Sequence, residues 1–101
     1  MREVRWSKRA TEQLHHAIEY ISIELSPIRA KIVLTKILRT TSLLSNNPRM
    51  GAKEPLLDFR NKEYRFLIAW SYKIIYKVTA NDDILIMRVF HSSQNPKKIT
   101  K

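Results

Sequence analysis

The sequence predicts an α+β fold in which a helical hairpin packs on one face of a small, largely antiparallel sheet. Three observations lead to this prediction. Apolar residues recur at three- and four-residue spacing through about residues 7–47, as in amphipathic helices. They alternate at a spacing of two through about residues 63–91, as in half-buried strands. Gly51, the single glycine, lies between these regions, where the period changes.

The chain begins with a predicted short strand followed by the first helix. In residues 2–6, REVRW, Val4 and Trp6 alternate with charged residues. Ser7 can then cap a helix, because its hydroxyl accepts from a backbone N–H of the first turn. The apolar stripe that follows runs from Ala10 to Leu25, which predicts about five helical turns.

The second helix is predicted to begin at Ser26-Pro27, since serine caps well and proline is tolerated at the first helical position. Its apolar stripe runs from Ala30 to Leu44, and it ends at 46–48, Asn-Asn-Pro. Four basic residues lie off this stripe and are interpreted as a solvated face or as contacts to an acidic partner. They are Arg29, Lys31, Lys36 and Arg39.

Three strands are predicted after Gly51, within residues 63–70, 71–78 and 84–90, and ANDD at 80–83 has the composition of a hairpin turn. The predicted order is therefore β-α-α-β-β-β. The whole of residues 1–101 is expected to form one domain with a polar tail at 92–101.

A three-residue loop at 81–83 would place Lys73 opposite His91 and Tyr76 opposite Arg88. The core face would then consist of Tyr72, Ile74, Tyr76, Val78, Ile84, Ile86 and Phe90. The other face would carry Lys73, Lys77 and His91, interleaved with Ile75, Met87 and Val89. A basic, half-apolar face left uncovered by the helices would be a docking surface.

Composition restricts the partner and the compartment. Nineteen Lys and Arg against nine Asp and Glu leave a net charge of +10, which favours an anionic partner such as nucleic acid or an acidic protein. The lack of cysteine fits a reducing cytosol. The apolar runs are too short for a membrane span, so a cytoplasmic protein without membrane contact is expected.

The residues offer little support for metal or cofactor chemistry. His15 and His16 are adjacent and point about 100° apart on a helix, so they cannot share one ion. No glycine-rich phosphate loop is possible, and no cofactor is expected. Metal-independent phosphodiester cleavage remains, with Glu54 or His91 exchanging protons and basic side chains holding phosphate. The candidate cations are Lys53, Arg60, Lys62, Arg65, Lys73, Lys77 and Arg88.

The chain resembles the RelE/ParE superfamily of toxins from bacterial type II toxin-antitoxin modules. The residues that carry the resemblance are Trp6-Ser7, Ala10, Leu14, Ala30, Leu44, Pro48, Gly51, Pro55-Leu56, Tyr64-Arg65, 72–78 and 88–91. The resemblance implies two helices on an antiparallel sheet. It also implies a plasmid-stabilisation-type toxin neutralised, in a hetero-oligomer, by a cognate acidic antitoxin that folds around it.

One branch of this superfamily, the RelE and YoeB type, consists of ribosome-dependent, metal-independent mRNA endoribonucleases. Similarity to YoeB implies catalytic roles for Glu54, Lys73, Arg88 and His91. Lys73 stands where that enzyme has an arginine, which removes the bidentate fork. Ser92 stands where it has an aromatic residue that stacks on a base.

The ParE branch inhibits DNA gyrase by binding it. The present chain is similar to this branch at Tyr64-Arg65, at 72–76, and in the polar tail that follows His91 and contains Asn95-Pro96. The tail favours the ParE branch, in which Arg65 and His91 are structural or interfacial. Gyrase inhibition is therefore the preferred hypothesis, and ribosome-dependent RNA cleavage is the alternative.

Overall fold

The computed structural model describes residues 2–54 and 63–91. The predicted order of elements is confirmed, with one additional two-residue strand after the helices. The elements are β1 (Val4–Trp6), α1 (Lys8–Glu24), α2 (Pro27–Ser42) with a 3-10 turn (Leu43–Ser45), β2 (Ala52–Lys53), β3 (Tyr64–Ala69), β4 (Tyr72–Val78) and β5 (Ile84–His91).

The strands form one five-stranded sheet in the order β1-β5-β4-β3-β2. The pairs β2–β3, β3–β4 and β4–β5 are antiparallel, whereas β1 runs parallel to β5, with Val4 opposite Ile84. The two helices connect β1 to the rest of the sheet and cover one of its faces, so the predicted α+β architecture is confirmed.

Both helices begin at the predicted serine caps. The Ser7 hydroxyl accepts a hydrogen bond from Ala10 N at 3.0 Å, and the Ser26 hydroxyl accepts one from Arg29 N at 3.0 Å. These bonds satisfy backbone donors that have no partner within the helix. Pro27 occupies the start of α2, where its missing N–H costs no hydrogen bond.

Apolar clusters lie on both faces of the sheet. The main core lies between helices and sheet and includes Ala10, Ile21, Ala30, Val33, Ile37, Leu44, Ala69, Ile74, Tyr76, Val78, Ile84, Ile86 and Val89. The smaller cluster lies on the face away from the helices. It consists of Tyr64 and Ile75 with Phe66, Met87 and Phe90 packed against them.

The register predicted for the last hairpin is wrong. Tyr72 lies opposite His91, and Lys73 lies opposite Phe90. Val78 faces Ile84, and Thr79 N donates a hydrogen bond to Asp83 O at 2.9 Å, so the loop consists of residues 80–82 instead of 81–83. A β-bulge then shifts the register, because Ile75 faces Arg88 whereas its neighbour Tyr76 faces Ile86.

Gln13 of α1 and the N-cap residue Ser7 bind the backbone at this bulge. The side-chain oxygen of Gln13 accepts a hydrogen bond from Val89 N at 2.8 Å, and the Ser7 hydroxyl donates to Met87 O at 3.3 Å. A bulge leaves ladder groups without strand partners, and these two side chains replace them.

The bulge changes which face several side chains occupy. Val89 is in the main core and Phe90 is on the other face, the reverse of the prediction. His91 lies opposite Tyr72 and therefore shares the helix-covered face. Lys73 and Lys77 lie on the face away from the helices, as predicted.

Candidate functional site

Lys73 and Glu54 form an ion pair on the sheet face away from the helices. The Lys73 ammonium lies 2.9 Å from Oε2 of Glu54 and donates a hydrogen bond to Oε1 at 3.2 Å. It also lies 4.4 Å from the centre of the Phe66 ring, within cation–π distance. The Glu54 side chain is 0% exposed and that of Lys73 is 21% exposed. Two of the four predicted catalytic residues are therefore brought together.

The position of Glu54 follows from the short strand β2. Lys53 pairs with Arg65 on β3, and Glu54 N then donates a hydrogen bond to Tyr64 O at 2.9 Å. This pairing directs the Glu54 side chain to the sheet face away from the helices, where Lys73 of β4 lies. A carboxylate that is enclosed and paired in this way is closed to a ribose hydroxyl.

His91 lies on the opposite face of the sheet from Lys73. Its ring packs edge-on against Tyr72, with centroids 5.4 Å apart and an interplanar angle of 86°. Tyr72 in turn packs against the main core, and burial raises the pKa of its hydroxyl. His91 itself is exposed at the end of β5. The expected pairing of Lys73 with His91 across the hairpin is therefore absent.

Arg88 and Lys77 share the face that carries Lys73. Arg88 lies opposite Ile75 and donates from Nη1 to Met87 O at 2.8 Å. Lys77 lies between Tyr64 and Leu85 and is half-buried. Three of the basic candidates thus occupy one face, over the smaller apolar cluster.

The remaining basic candidates do not join this group. Lys53 is exposed on β2, on the face of Arg65 rather than that of Lys73. Arg60 and Lys62 lie outside the described residues, as do Pro55-Leu56 and the tail at 92–101.

Arg65 has structural partners. Its Nε donates to Glu63 at 2.8 Å and its Nη1 donates to Gly51 O at 2.8 Å. Glu63 also pairs with Arg49 at 2.8 Å, and Arg49 contacts Asp82 at 3.3 Å. The hydrogen bond from Arg65, followed by those from Arg49, lowers the pKa of Glu63. The hydrogen bond to Glu63 is also the main reason that the pKa of Arg49 is raised. These contacts tie the segment before β2 to β3.

Tyr76 also ties the segment before β2 to the sheet. The sequence analysis predicted it only as an apolar core residue. Its buried hydroxyl donates to Pro48 O at 2.8 Å and accepts from Gly51 N at 2.9 Å. Burial is the main cause of its raised pKa. The spacing predicted an inward-facing Tyr76 but held no signal for these two contacts, which join residues 28 and 25 positions apart.

Neither a metal-ligand cluster nor a membrane-spanning helix is present among residues 2–54 and 63–91. No three His, Asp or Glu side chains in this part converge as ligands for an ion. Neither helix combines the length and apolar composition needed to cross a bilayer.

Comparison with known proteins identifies a family. The sequence model of the family described as ParE toxin of type II toxin-antitoxin system, parDE, matches residues 4–96. No curated protein matches the chain at a significant level.

Among solved structures, the chain is similar to the chromosomal ParDE toxin-antitoxin system from P. aeruginosa. The TM-score is 0.71 at 20% identity, over 90% of this chain and 96% of that chain. It is also similar to part of TrmO from Pseudomonas aeruginosa in two crystal structures. One has a TM-score of 0.50 at 20% identity and covers 89% of this chain and 33% of that chain. The other has a TM-score of 0.50 at 19% identity and covers 88% and 35%. At these identities the likeness concerns the fold.

Proposed function

Because the chain belongs to the ParE toxin family of type II toxin-antitoxin systems, we propose that this toxin acts in the cytoplasm by binding and inhibiting DNA gyrase. In the same proposal a cognate acidic antitoxin neutralises it by forming a hetero-oligomer. The net charge of +10 would accelerate the association of the two proteins through electrostatic steering.

The separation of His91 from Lys73 and Glu54 supports binding over cleavage. A general base and a general acid must both reach the reacting phosphodiester within hydrogen-bond distance. His91 is on the helix-covered face beside Tyr72, whereas Lys73 and Glu54 are on the other face. The residues expected to transfer protons therefore do not converge on one substrate position.

The buried state of Glu54 supports the same conclusion. Its carboxylate contacts Lys73 through both oxygens and is closed to solvent. To act as a base, Glu54 would first have to lose its ion pair with Lys73, and leaving a buried charge unpaired costs several kcal/mol of free energy. The pair is better suited to holding β2 against the sheet.

The alternative, a ribosome-dependent endoribonuclease, is supported by a different observation. Lys73 and Arg88 lie on the same face of neighbouring strands, and two cations on one face can stabilise the charge that develops on a phosphate. In this alternative the ribosome would have to supply or induce the arrangement of the proton-transfer groups.

Induction of the protein in growing cells, with messenger-RNA ends sequenced and DNA breaks measured, tests the proposal. Gyrase inhibition predicts DNA damage with intact messages. Messages cut at codons in the ribosomal A site would contradict it. The variant His91→Ala distinguishes gyrase inhibition from RNA cleavage. His16→Ala is its control, because His16 is also an exposed histidine and lies on α1. Only the nuclease alternative predicts that the first variant loses cleavage while the second keeps it.

A further inference from the structure

An open groove of about 420 Å³ lies between α1 and α2. Two half-buried apolar side chains, Ile18 of α1 and Leu34 of α2, line it. Ile23 also lines the groove and is 72% exposed. Leu38, one turn after Leu34 on the same side of α2, is 44% exposed. Exposed apolar side chains around a groove are typical of an interaction surface.

The two walls of this groove carry charges of opposite sign. Glu19 lines it on α1, and Lys31 lines it on α2. Glu12 lies seven residues before Glu19, about two turns farther from the connection between the helices. Arg39 lies eight residues after Lys31 and therefore at the same level of the hairpin as Glu12. All four side chains are exposed, and none belongs to an ion pair among the described residues.

A second copy of this chain matches this pattern of charges. A two-fold axis along the groove would place α1 of one copy against α2 of the other, which gives four helices with antiparallel neighbours. Glu19 would then face Lys31 of the second copy, at one level of the interface. Glu12 would face Arg39 of the second copy, at the other level. A two-fold axis across the groove would place α1 against α1, where the glutamates would repel one another.

Other classes of partner match the groove less well. Nucleic acid or an acidic protein would meet Glu12 and Glu19, and a basic protein would meet Lys31 and Arg39. The net charge of +10 opposes the approach of two copies at long range. This repulsion is screened over about 8 Å at physiological ionic strength, so the facing pairs decide the contact itself.

We propose that two copies of this chain associate through the groove between α1 and α2 and form an interface of four antiparallel helices. Ile23 and Leu38 of each copy supply the apolar centre of this interface, and the glutamates and cations form its polar rim. The charged pairs fix which helices meet. The proposal goes beyond the toxin's action and depends neither on its target nor on its antitoxin.

Analytical ultracentrifugation over a series of protein concentrations tests the proposal. The wild-type chain is expected to dimerise with a Kd in the micromolar range. Glu19→Lys and Lys31→Glu should each weaken the dimer at least about tenfold, because each change places like charges opposite one another twice in the symmetric dimer. An equal mixture of the two variants should restore association, since every reversed charge then meets an opposite one.

Glu24→Lys is the matched control. Glu24 is an exposed glutamate of α1 outside the groove, and its reversal changes the net charge as much as Glu19→Lys does. Its Kd should stay within about threefold of wild type. A wild-type chain that remains monomeric up to about 1 mM would overturn the proposal. So would equal weakening by Glu24→Lys and Glu19→Lys, or a mixture of the two groove variants that associates no more tightly than each variant alone.

Discussion

The ammonium of Lys73 lies 2.9 Å from a carboxylate oxygen of Glu54, whose side chain is fully buried. Removing the cation would leave a buried negative charge without compensation. Lys73→Met is therefore expected to lower the free energy of unfolding by about 2–3 kcal/mol, less than for a fully enclosed pair because Lys73 is partly exposed. Urea denaturation measures the loss.

Lys77→Met is the matched control for that experiment. Lys77 lies on the same strand and face, and its Nζ forms no ion pair among the described residues. A loss below about 1 kcal/mol is expected. Equal losses in the two variants would show that the ion pair does not stabilise the fold.

Tyr76 is expected to stabilise the segment before β2 through its hydroxyl. Tyr76→Phe leaves Gly51 N and Pro48 O without their buried partner. The expected loss is about 1–3 kcal/mol in the free energy of unfolding, the usual effect of an unsatisfied buried polar group. Tyr20→Phe, on an exposed tyrosine of α1, should change stability by less than about 0.5 kcal/mol. The hydrogen bonds would be unimportant if both variants unfolded at the same urea concentration.

Gly51 is expected to accept no side chain. A Cβ at this position would overlap with the carbonyl oxygen of Phe66 and lie 2.8 Å from the Tyr76 hydroxyl. Gly51→Ala should therefore cost at least about 2 kcal/mol, measured by thermal unfolding. Adding Tyr76→Phe should not restore the stability, because the overlap with the Phe66 backbone remains. A double variant as stable as Tyr76→Phe alone would contradict this explanation.

Glu63 is expected to make stability depend on pH in the acid range. Its pKa is lowered below the ordinary value of 4.5, chiefly by the hydrogen bond from Arg65. The folded carboxyl therefore binds protons less readily than the unfolded one, so its stabilisation is present above 4.5 and is lost as pH falls through the lowered pKa.

Comparison of wild type with Glu63→Gln measures this contribution. The wild type should be more stable at neutral pH, by less than about 1 kcal/mol because the pair is partly exposed. The difference should disappear in acid. A difference that stays constant from neutral pH through the acid range would exclude the ionised carboxylate as its cause.

Most of the fold could be predicted from the sequence because its signals are local. The serine caps at Ser7 and Ser26 and the change of period after Gly51 depend only on neighbouring residues. The register of β4 and β5 could not be predicted. Gln13 and Ser7, more than seventy positions away in the sequence, bind the backbone at the bulge beside Met87. The alternation of apolar residues does not predict this bulge.

Only part of the candidate site could be predicted, because its geometry depends on contacts between residues that are distant in the sequence. Glu54 and Lys73 are residues that a phosphodiesterase would need, and they do meet. Their chemical state depends on burial and on partners distant in the sequence, which composition cannot reveal. His91 was expected beside Lys73, and a one-residue bulge moved it to the other face.

DNA supercoiling by purified gyrase, with this protein added in stoichiometric excess, tests the central claim most directly. Wild-type protein should inhibit supercoiling, and His91→Ala, if folded, should inhibit it within about threefold of wild type, since His91 is assigned no chemistry. Uninhibited gyrase, together with message cleavage on ribosomes that His91→Ala abolishes, would contradict the account.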